Sequence, residues 1–224
     1  MTFEQIKADI ANSRFKPIYL LMGDEPYYID ELTNLLVNTV LPEEEKDFNQ
    51  TILYGMETDV ASVITLARSF PMMSDYQLIV IKEAQNLSKI EELEIYTKNP
   101  LQSTILVLNY KNGTLDKRKK LYASVEKNGL IFESKKIPEY KMPAFIGSFV
   151  QTKGLSVDQK SAQMLADYLG NDLSKLSNEL DKLIIAIPQG QKQITASLIE
   201  NNIGISKDFN NFELLKAIIE KDIF

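Results

Sequence analysis

Along roughly the first 140 residues, short continuous apolar runs take turns with segments whose apolar residues recur every three or four positions. Thr2 to Gln5 reads as a capping box, the Thr hydroxyl and the Gln side chain each satisfying a free amide ahead of a helix that carries Ile6 and Ile10. Pro17-Ile18-Tyr19-Leu20-Leu21-Met22, closed by Gly23, predicts a strand buried on both faces. Asp24 or Glu25 caps the next helix, Pro26 takes its first position, where an N–H is not needed, and Leu32, Leu35, Leu36 and Val40 form its apolar face. The same alternation predicts strands at 50–53, 78–81, 104–108 and 130–132, separated by helices at 60–67, 90–96 and 117–127. Strands alternating with helices imply right-handed crossovers and a largely parallel sheet covered on both faces, an α/β domain over 1–140.

Beyond Pro138 and Pro143 the texture becomes helical throughout, and the spacing predicts a small all-α domain over 141–206. Ser156 to Gln159 reads as a second capping box, followed by Ala162, Leu165, Ala166 and Leu169 on one helix face. Gly170 ends that helix, Asn171 or Asp172 opens the next, and Leu173, Leu176, Leu180, Leu183 and Ile184 mark its buried side. So short a link makes the two helices neighbours, and a third is expected at 196–201. Phe212, Leu214, Leu215, Ile218 and Ile219 form an amphipathic start to a further segment, 207–224, which stops at Phe224 without a cap or polar tail and is expected to continue in a longer protein.

Composition narrows the chemistry. The chain has 44% hydrophobic and 25% charged residues, an ordinary globular balance, and no run approaches the ~18 apolar residues of a membrane span. Its N-terminus lacks the basic start and apolar core of a secretory signal, so a soluble cytoplasmic protein is expected. The absence of Cys and His removes thiol nucleophiles, disulfides, most zinc sites and the usual general base near neutrality. A net charge of −6 repels phosphates overall, so a protein partner is favoured and any nucleic-acid contact must be local and salt-sensitive.

An apolar strand, a glycine and a helix start are the setting of a phosphate-binding loop, which can be tested by spacing. Counting from Gly23, the pattern G-x-x-x-x-G-K-[ST] requires glycine, lysine and a hydroxyl residue where Tyr28, Ile29 and Asp30 stand. Tyr28 blocks close backbone approach, Ile29 lacks the charge for the outer phosphates, and Asp30 replaces the magnesium-binding hydroxyl. Asp24, Glu25, Asp30 and Glu31 put negative charge where the helix dipole would otherwise draw an anion. After the Leu78–Ile81 strand, where a magnesium-binding acid and a catalytic Glu would follow, the chain has Lys82 and Glu83. No ATP binding, no cofactor and no catalytic residue are therefore expected, and an active ATPase or kinase is disfavoured.

Three long segments resemble one family. Tyr19-Leu20-Leu21-Met22-Gly23-Asp24-Glu25-Pro26-Tyr27-Tyr28-Ile29-Asp30-Glu31 is similar to the opening of the delta subunit of the bacterial DNA polymerase III clamp loader. Phe70 to Gln85 (FPMMSDYQLIVIKEAQ) and Leu169 to Leu183 (LGNDLSKLSNELDKL) resemble its second and third signatures, in order across the chain. The resemblance implies a degenerate P-loop, AAA+-type ATPase fold without ATPase activity, a helical lid, and a helical collar that assembles the loader of a nucleotidyltransferase holoenzyme. Phe209 to Leu215 looks like the collar's beginning.

In the family an apolar wedge before the third strand enters a pocket of the DNA sliding clamp, the beta subunit, and helps open the ring. By resemblance the wedge falls on Pro71, Met72 and Met73 with Phe70 in support; a Leu-Phe pair found in some members is absent, but methionine is flexible and fits irregular pockets. The alternative is that Phe70 and Met72 cap the core where helix meets strand. Lys117, Arg118, Lys119 and Lys120 form the densest basic run, a candidate for weak contact with primed DNA or a solvated face balanced by acids, with Lys135, Lys136 and Lys141 as a possible extension. Glu43, Glu44, Glu45, Glu91 and Glu92 read as surface charge. The expected partners are the clamp, the other loader subunits through the collar, and primed DNA weakly, with no membrane; the alternative function is an interaction scaffold of the same fold.

Overall fold

The computed structural model describes residues 1–188 and 190–203, and the chain divides into two compact units, the second beginning at Lys136. The first is an α/β unit. Helix α1 (Phe3–Ala11) opens with the Thr2/Gln5 capping box and leads to β1 (Ile18–Gly23) and α2 (Pro26–Thr39), capped by the Glu25 side chain on the Tyr27 N–H. There follow α3 (Lys46–Asn49), β2 (Gln50–Tyr54), α4 (Val60–Ala67), β3 (Gln77–Lys82), α5 (Glu94–Thr97), β4 (Thr104–Lys111), α6 (Lys120–Asn128) and β5 (Leu130–Ser134). The five strands form one parallel sheet in the order β2-β3-β4-β1-β5.

Successive residues of a strand point to opposite faces, which is why uninterrupted apolar runs were needed. Ile18, Leu20 and Met22 join Ile79, Ile81, Leu106 and Leu108 beneath Val63 of α4 and Leu121 and Val125 of α6. Tyr19 and Leu21 join Leu78, Val80, Ile105 and Val107 against Ile6 and Ile10 of α1 and Ile29, Leu32 and Leu36 of α2. The helices thus cover both faces.

Several boundaries differ from the pattern. The helix expected at 117–127 starts at Lys120, because the Asp116 carboxylate accepts the Arg118 N–H at 3.0 Å and holds the preceding residues in a turn. The helix expected at 90–96 is a 3-10 turn over Ile90–Leu93 followed by α5, entered through Lys89 in the left-handed region (φ 56°).

The second unit contains α7 (Met142–Thr152), α8 (Gln159–Leu169), α9 (Leu173–Ala186) and α10 (Ala196–Asn202). Met142, Ile146, Val150, Leu165, Leu176, Leu180, Leu183 and Ile199 are among its buried residues. It is not purely helical: β6 (Ser156–Val157) pairs in parallel with β7 (Gln193–Ile194), too short a ladder to leave a period in the sequence. Ser156 is therefore a strand residue, its N–H bonded to Lys192 O at 2.8 Å, and Asp158 is the cap of α8, accepting the Ser161 N–H at 2.8 Å. Asp172 caps α9 in the same way. The segment containing Phe209 to Leu215, Ile218 and Ile219 lies outside the described residues. No helix among the described residues is long and apolar enough to cross a membrane, and none of their His, Cys, Asp and Glu side chains form a metal-holding cluster.

Candidate functional site

In a parallel sheet with helical crossovers, ligands usually bind beyond the C-terminal ends of the strands, so the turn after β1 is the first place to look. Gly23 has φ 128°, and a Cβ there would stand 2.1 Å from Ser134 O, so the turn lies directly on the end of β5. Every amide of the turn is bonded within the protein: Gly23 N–H to Gly113 O (2.9 Å), Asp24 N–H to Ser134 O (3.3 Å), Glu25 N–H to Ser134 Oγ (3.3 Å) and Tyr27 N–H to Glu25 Oε1 (3.2 Å). Pro26 has none to offer. A phosphate-binding loop holds its ligand with such amides, and here they are already engaged.

The three residues singled out by spacing have structural partners. The Tyr28 ring lies against Phe3 and Phe132, at centroid separations of 4.8 and 6.5 Å, and burial, then the neighbouring Glu25, push its hydroxyl up to about 12. Ile29 is buried in the core, and Asp30 is ion-paired with Lys111 at 2.6 Å. Beyond β3, Lys82 Nζ lies 5.8 Å from the centroid of the Tyr54 ring, and the exposed Glu83 accepts from Asn86 Nδ2 at 3.1 Å.

The opposite end of the sheet carries a different surface. Helix α4 returns there, and residues 69–76 link it to β3. In this link Phe70 is 77% exposed, Met72 62% and Met73 fully exposed, with Pro71 half-buried; none of the three large side chains caps the core. Met73 occupies the left-handed region (φ 52°), where non-glycine residues are uncommon.

Two buried amide side chains hold the link from beneath. Gln77 donates to Leu66 O (3.2 Å), to Ser69 O and to Thr104 Oγ1 (2.8 Å), and accepts from Ser69 Oγ (3.2 Å). Thr104 Oγ1 in turn donates to Ala67 O at 2.9 Å, so the free carbonyls at the end of α4 are tied to the starts of β3 and β4. Asn49, 4% exposed, bonds the backbone of Met72 on both sides, donating to Met72 O at 3.0 Å and accepting the Met72 N–H at 2.7 Å. Tyr76 meets Phe15 edge-on at 5.6 Å. Phe48, next to Asn49, is 70% exposed. Sequence reasoning missed Phe48, Asn49 and Gln77, and a polar residue just before or at the start of a strand carries no periodic signal that would have found them.

The basic run lies away from this link, between the C-terminal end of β4 and the start of α6. Lys117 pairs with Glu133 (2.9 Å), Arg118 with Asp116 (2.8 Å) and Lys119 with Glu91 (3.5 Å). Hydrogen bonds from Arg118 hold the Asp116 carboxyl down at about 2. Lys120 lines a shallow groove of about 420 Å³ with Lys98 and Lys127. Glu43 pairs with Lys46 at 2.6 Å, so it and Glu91 are surface ion-pair partners.

A family model described as "DNA polymerase III, delta subunit" matches residues 19–135, more than half the chain. The chain belongs to the DNA polymerase III delta subunit family. It is 27% identical to DNA polymerase III subunit delta of Bacillus subtilis over 231 residues, which cover 99% of this chain and 66% of that relative, so it spans just under two thirds of the relative's length. The solved Bacillus subtilis DNA clamp loader delta protein superposes with a TM-score of 0.80 at 24% identity, over 99% of this chain and 68% of that one. The RuvB Holliday junction branch migration motor of Thermotoga maritima shares the fold at a TM-score of 0.50 and 14% identity, over 97% of this chain and 74% of that one. These likenesses place the delta-family chain among AAA+-type folds: the parallel sheet is retained, while the turn after β1 bonds its own amides.

Proposed function

We propose that this chain is the clamp-gripping, non-catalytic subunit of a bacterial clamp loader, and that Met72 and Met73, with Pro71 and Phe70, enter an apolar pocket of the sliding clamp and help open its ring. The observation that carries the reading is the solvent-facing apolar loop fixed at its base by Asn49 and Gln77: large apolar side chains held out in water are a recurrent mark of a protein-contact site. Family membership supports the sliding clamp as the partner. The internal bonding of the amides from Gly23 to Tyr27, and the engagement of Asp30 by Lys111, support a subunit that works without nucleotide.

In this reading the described helices of the second unit, Met142 to Asn202, serve as the lid, and the chain works beside the other loader subunits in the cytoplasm. Primed DNA is at most a weak partner, because three of the four residues in the basic run are paired with acids. Burying Met72 and Met73 contributes about 3–6 kcal/mol before ordering costs, taking ~1.5–3 kcal/mol for each side chain. Calorimetric titration of the chain into the sliding clamp from the same source, with and without Mg-ATP, should give equal affinities. A Met72→Ala, Met73→Ala variant should bind at least about tenfold more weakly. Wild-type affinity in the double variant, or binding that appears only with nucleotide, would refute the proposal.

A further inference from the structure

Asn49 is the last residue of α3, directly ahead of β2, while Met72 lies in the link ahead of β3. Because β2 and β3 are neighbours, with Gln50 beside Leu78, their two approaches run side by side at the same end of the sheet. The Asn49 side chain spans the gap with two hydrogen bonds to one residue's backbone, at 3.0 and 2.7 Å, and its amide also donates to Glu45 O at 3.3 Å. A buried primary amide presents a donor and an acceptor side by side, and the backbone of Met72 offers their complement. The residues around this contact are exposed and apolar: Phe48 on one segment, and Phe70, Met72 and Met73 on the other.

An apolar loop left to itself in water samples many conformations, and ordering it on binding subtracts from affinity. Two hydrogen bonds to the middle of the loop remove much of that freedom beforehand. They also hold Met72 while the next residue, Met73, turns through the left-handed region, a conformation that persists only when its surroundings impose it.

We propose that Asn49 is a positioning residue: its side chain fixes the Met72 backbone so that Met72 and Met73 meet the partner already in their bound arrangement, and Phe48 joins them as an outer contact with the same apolar-lined pocket. The inference rests on the clamp-gripping reading for its partner, and on the geometry alone for the latch.

The discriminating variant is Asn49→Asp. At neutral pH its carboxylate accepts the Met72 N–H but opposes the Met72 carbonyl, breaking one arm of the latch. When protonated, the carboxylic acid regains one donor beside an acceptor and so restores the arm to Met72 O, while the amide's second bond, to Glu45 O, stays lost. Burial and the facing carbonyl disfavour the charged form and raise the carboxyl above its ordinary range, so this recovery falls in mildly acidic buffer.

Clamp affinity, measured against wild type at each pH, should drop about tenfold for Asn49→Asp at neutrality and return toward parity as pH falls. Phe48→Ala should lose several-fold at every pH. Hydrogen exchange of the Met72 amide in the free chain should quicken about tenfold in Asn49→Leu, where both arms are gone. Unchanged exchange in Asn49→Leu would overturn the latch whatever the clamp result. Parity of Asn49→Asp with wild type across the pH range, beside a weakened Met72→Ala, Met73→Ala control, would overturn the positioning role and leave the clamp reading standing. Absence of clamp binding by wild type would overturn the clamp reading and, with it, the partner named here.

Discussion

Gln77 offers the clearest link between fold and site, and Gln77→Leu isolates it. Leucine has nearly the same volume and adds no cavity, so the change removes polar contacts alone. Those are the bonds to Leu66 O, Ser69 O and Thr104 Oγ1 and the one from Ser69 Oγ. Leu66 O keeps a bond from Ser69 Oγ at 2.6 Å, but Ser69 O and the far side of Thr104 lose theirs. Replacing both members of a polar pair by apolar groups can be neutral; replacing one strands the other. Stranding Ser69 O and Thr104 Oγ1, at ~1–2 kcal/mol each, should cost about 2–4 kcal/mol. With an unfolding entropy of ~2.1 cal/mol/K per residue, a unit of this size loses about 3.5 °C of Tm per kcal/mol, giving a fall of about 7–14 °C. Thermal unfolding by circular dichroism at neutral pH reads this directly, with Ser69→Ala as a milder comparison expected near 1 kcal/mol. A Gln77→Leu protein within about 2 °C of wild type would show that the end of α4 is not held as described.

Three further outcomes follow from single contacts. Gly23→Ala combines a Cβ placed 2.1 Å from Ser134 O with φ 128°, so it should destabilise by at least ~3 kcal/mol in urea unfolding; a loss under about 1 kcal/mol would contradict the closed turn. Asp158→Ala should lower the melting temperature while Ser156→Ala leaves it almost unchanged, since Asp158 and not Ser156 bonds the first turn of α8; equal effects would restore Ser156 as a cap. The Asp116 carboxyl, held from its ordinary 3.8 down to about 2 by Arg118, contributes stability that is complete above pH 4 and disappears as pH falls towards 2. Its NMR titration midpoint should rise towards the ordinary value in Arg118→Gln, and a midpoint that stays put would deny the pair.

How much of this was legible depends on whether a residue acts through a period or through one contact. Strands β1, β3 and β4 announce themselves because both faces are buried, leaving apolar runs such as Ile18–Met22 that no half-exposed strand would have. Their polar ends are invisible to the same rule: Asn109, Tyr110 and Lys111 extend β4 by pairing with Leu21, Met22 and Gly23, not by being apolar. The Asp116 turn delays α6, and the two-residue ladder of β6 and β7 is shorter than any period. The missing phosphate site was readable residue by residue, yet the engagement of the turn's amides by Ser134 and Gly113 depends on strand neighbours more than 80 residues away. The exposure of Phe70, Met72 and Met73 ran against their hydrophobicity, so only family likeness favoured it over a core role. Asn49 and Gln77 act through single long-range contacts and left no trace in the pattern.

The central claim is that Met73 stands inside a pocket of the sliding clamp when the two proteins are bound. Replacing Met73 by a photo-crosslinking amino acid, with the same group at Ile185, another highly exposed apolar residue, as a comparison, tests both partner and place in one measurement. Irradiation of each with the clamp, followed by mass spectrometry, should join position 73 to apolar pocket residues of the clamp and leave position 185 unlinked. Equal yields at the two positions, or no product at 73 while the proteins remain bound, would contradict the account.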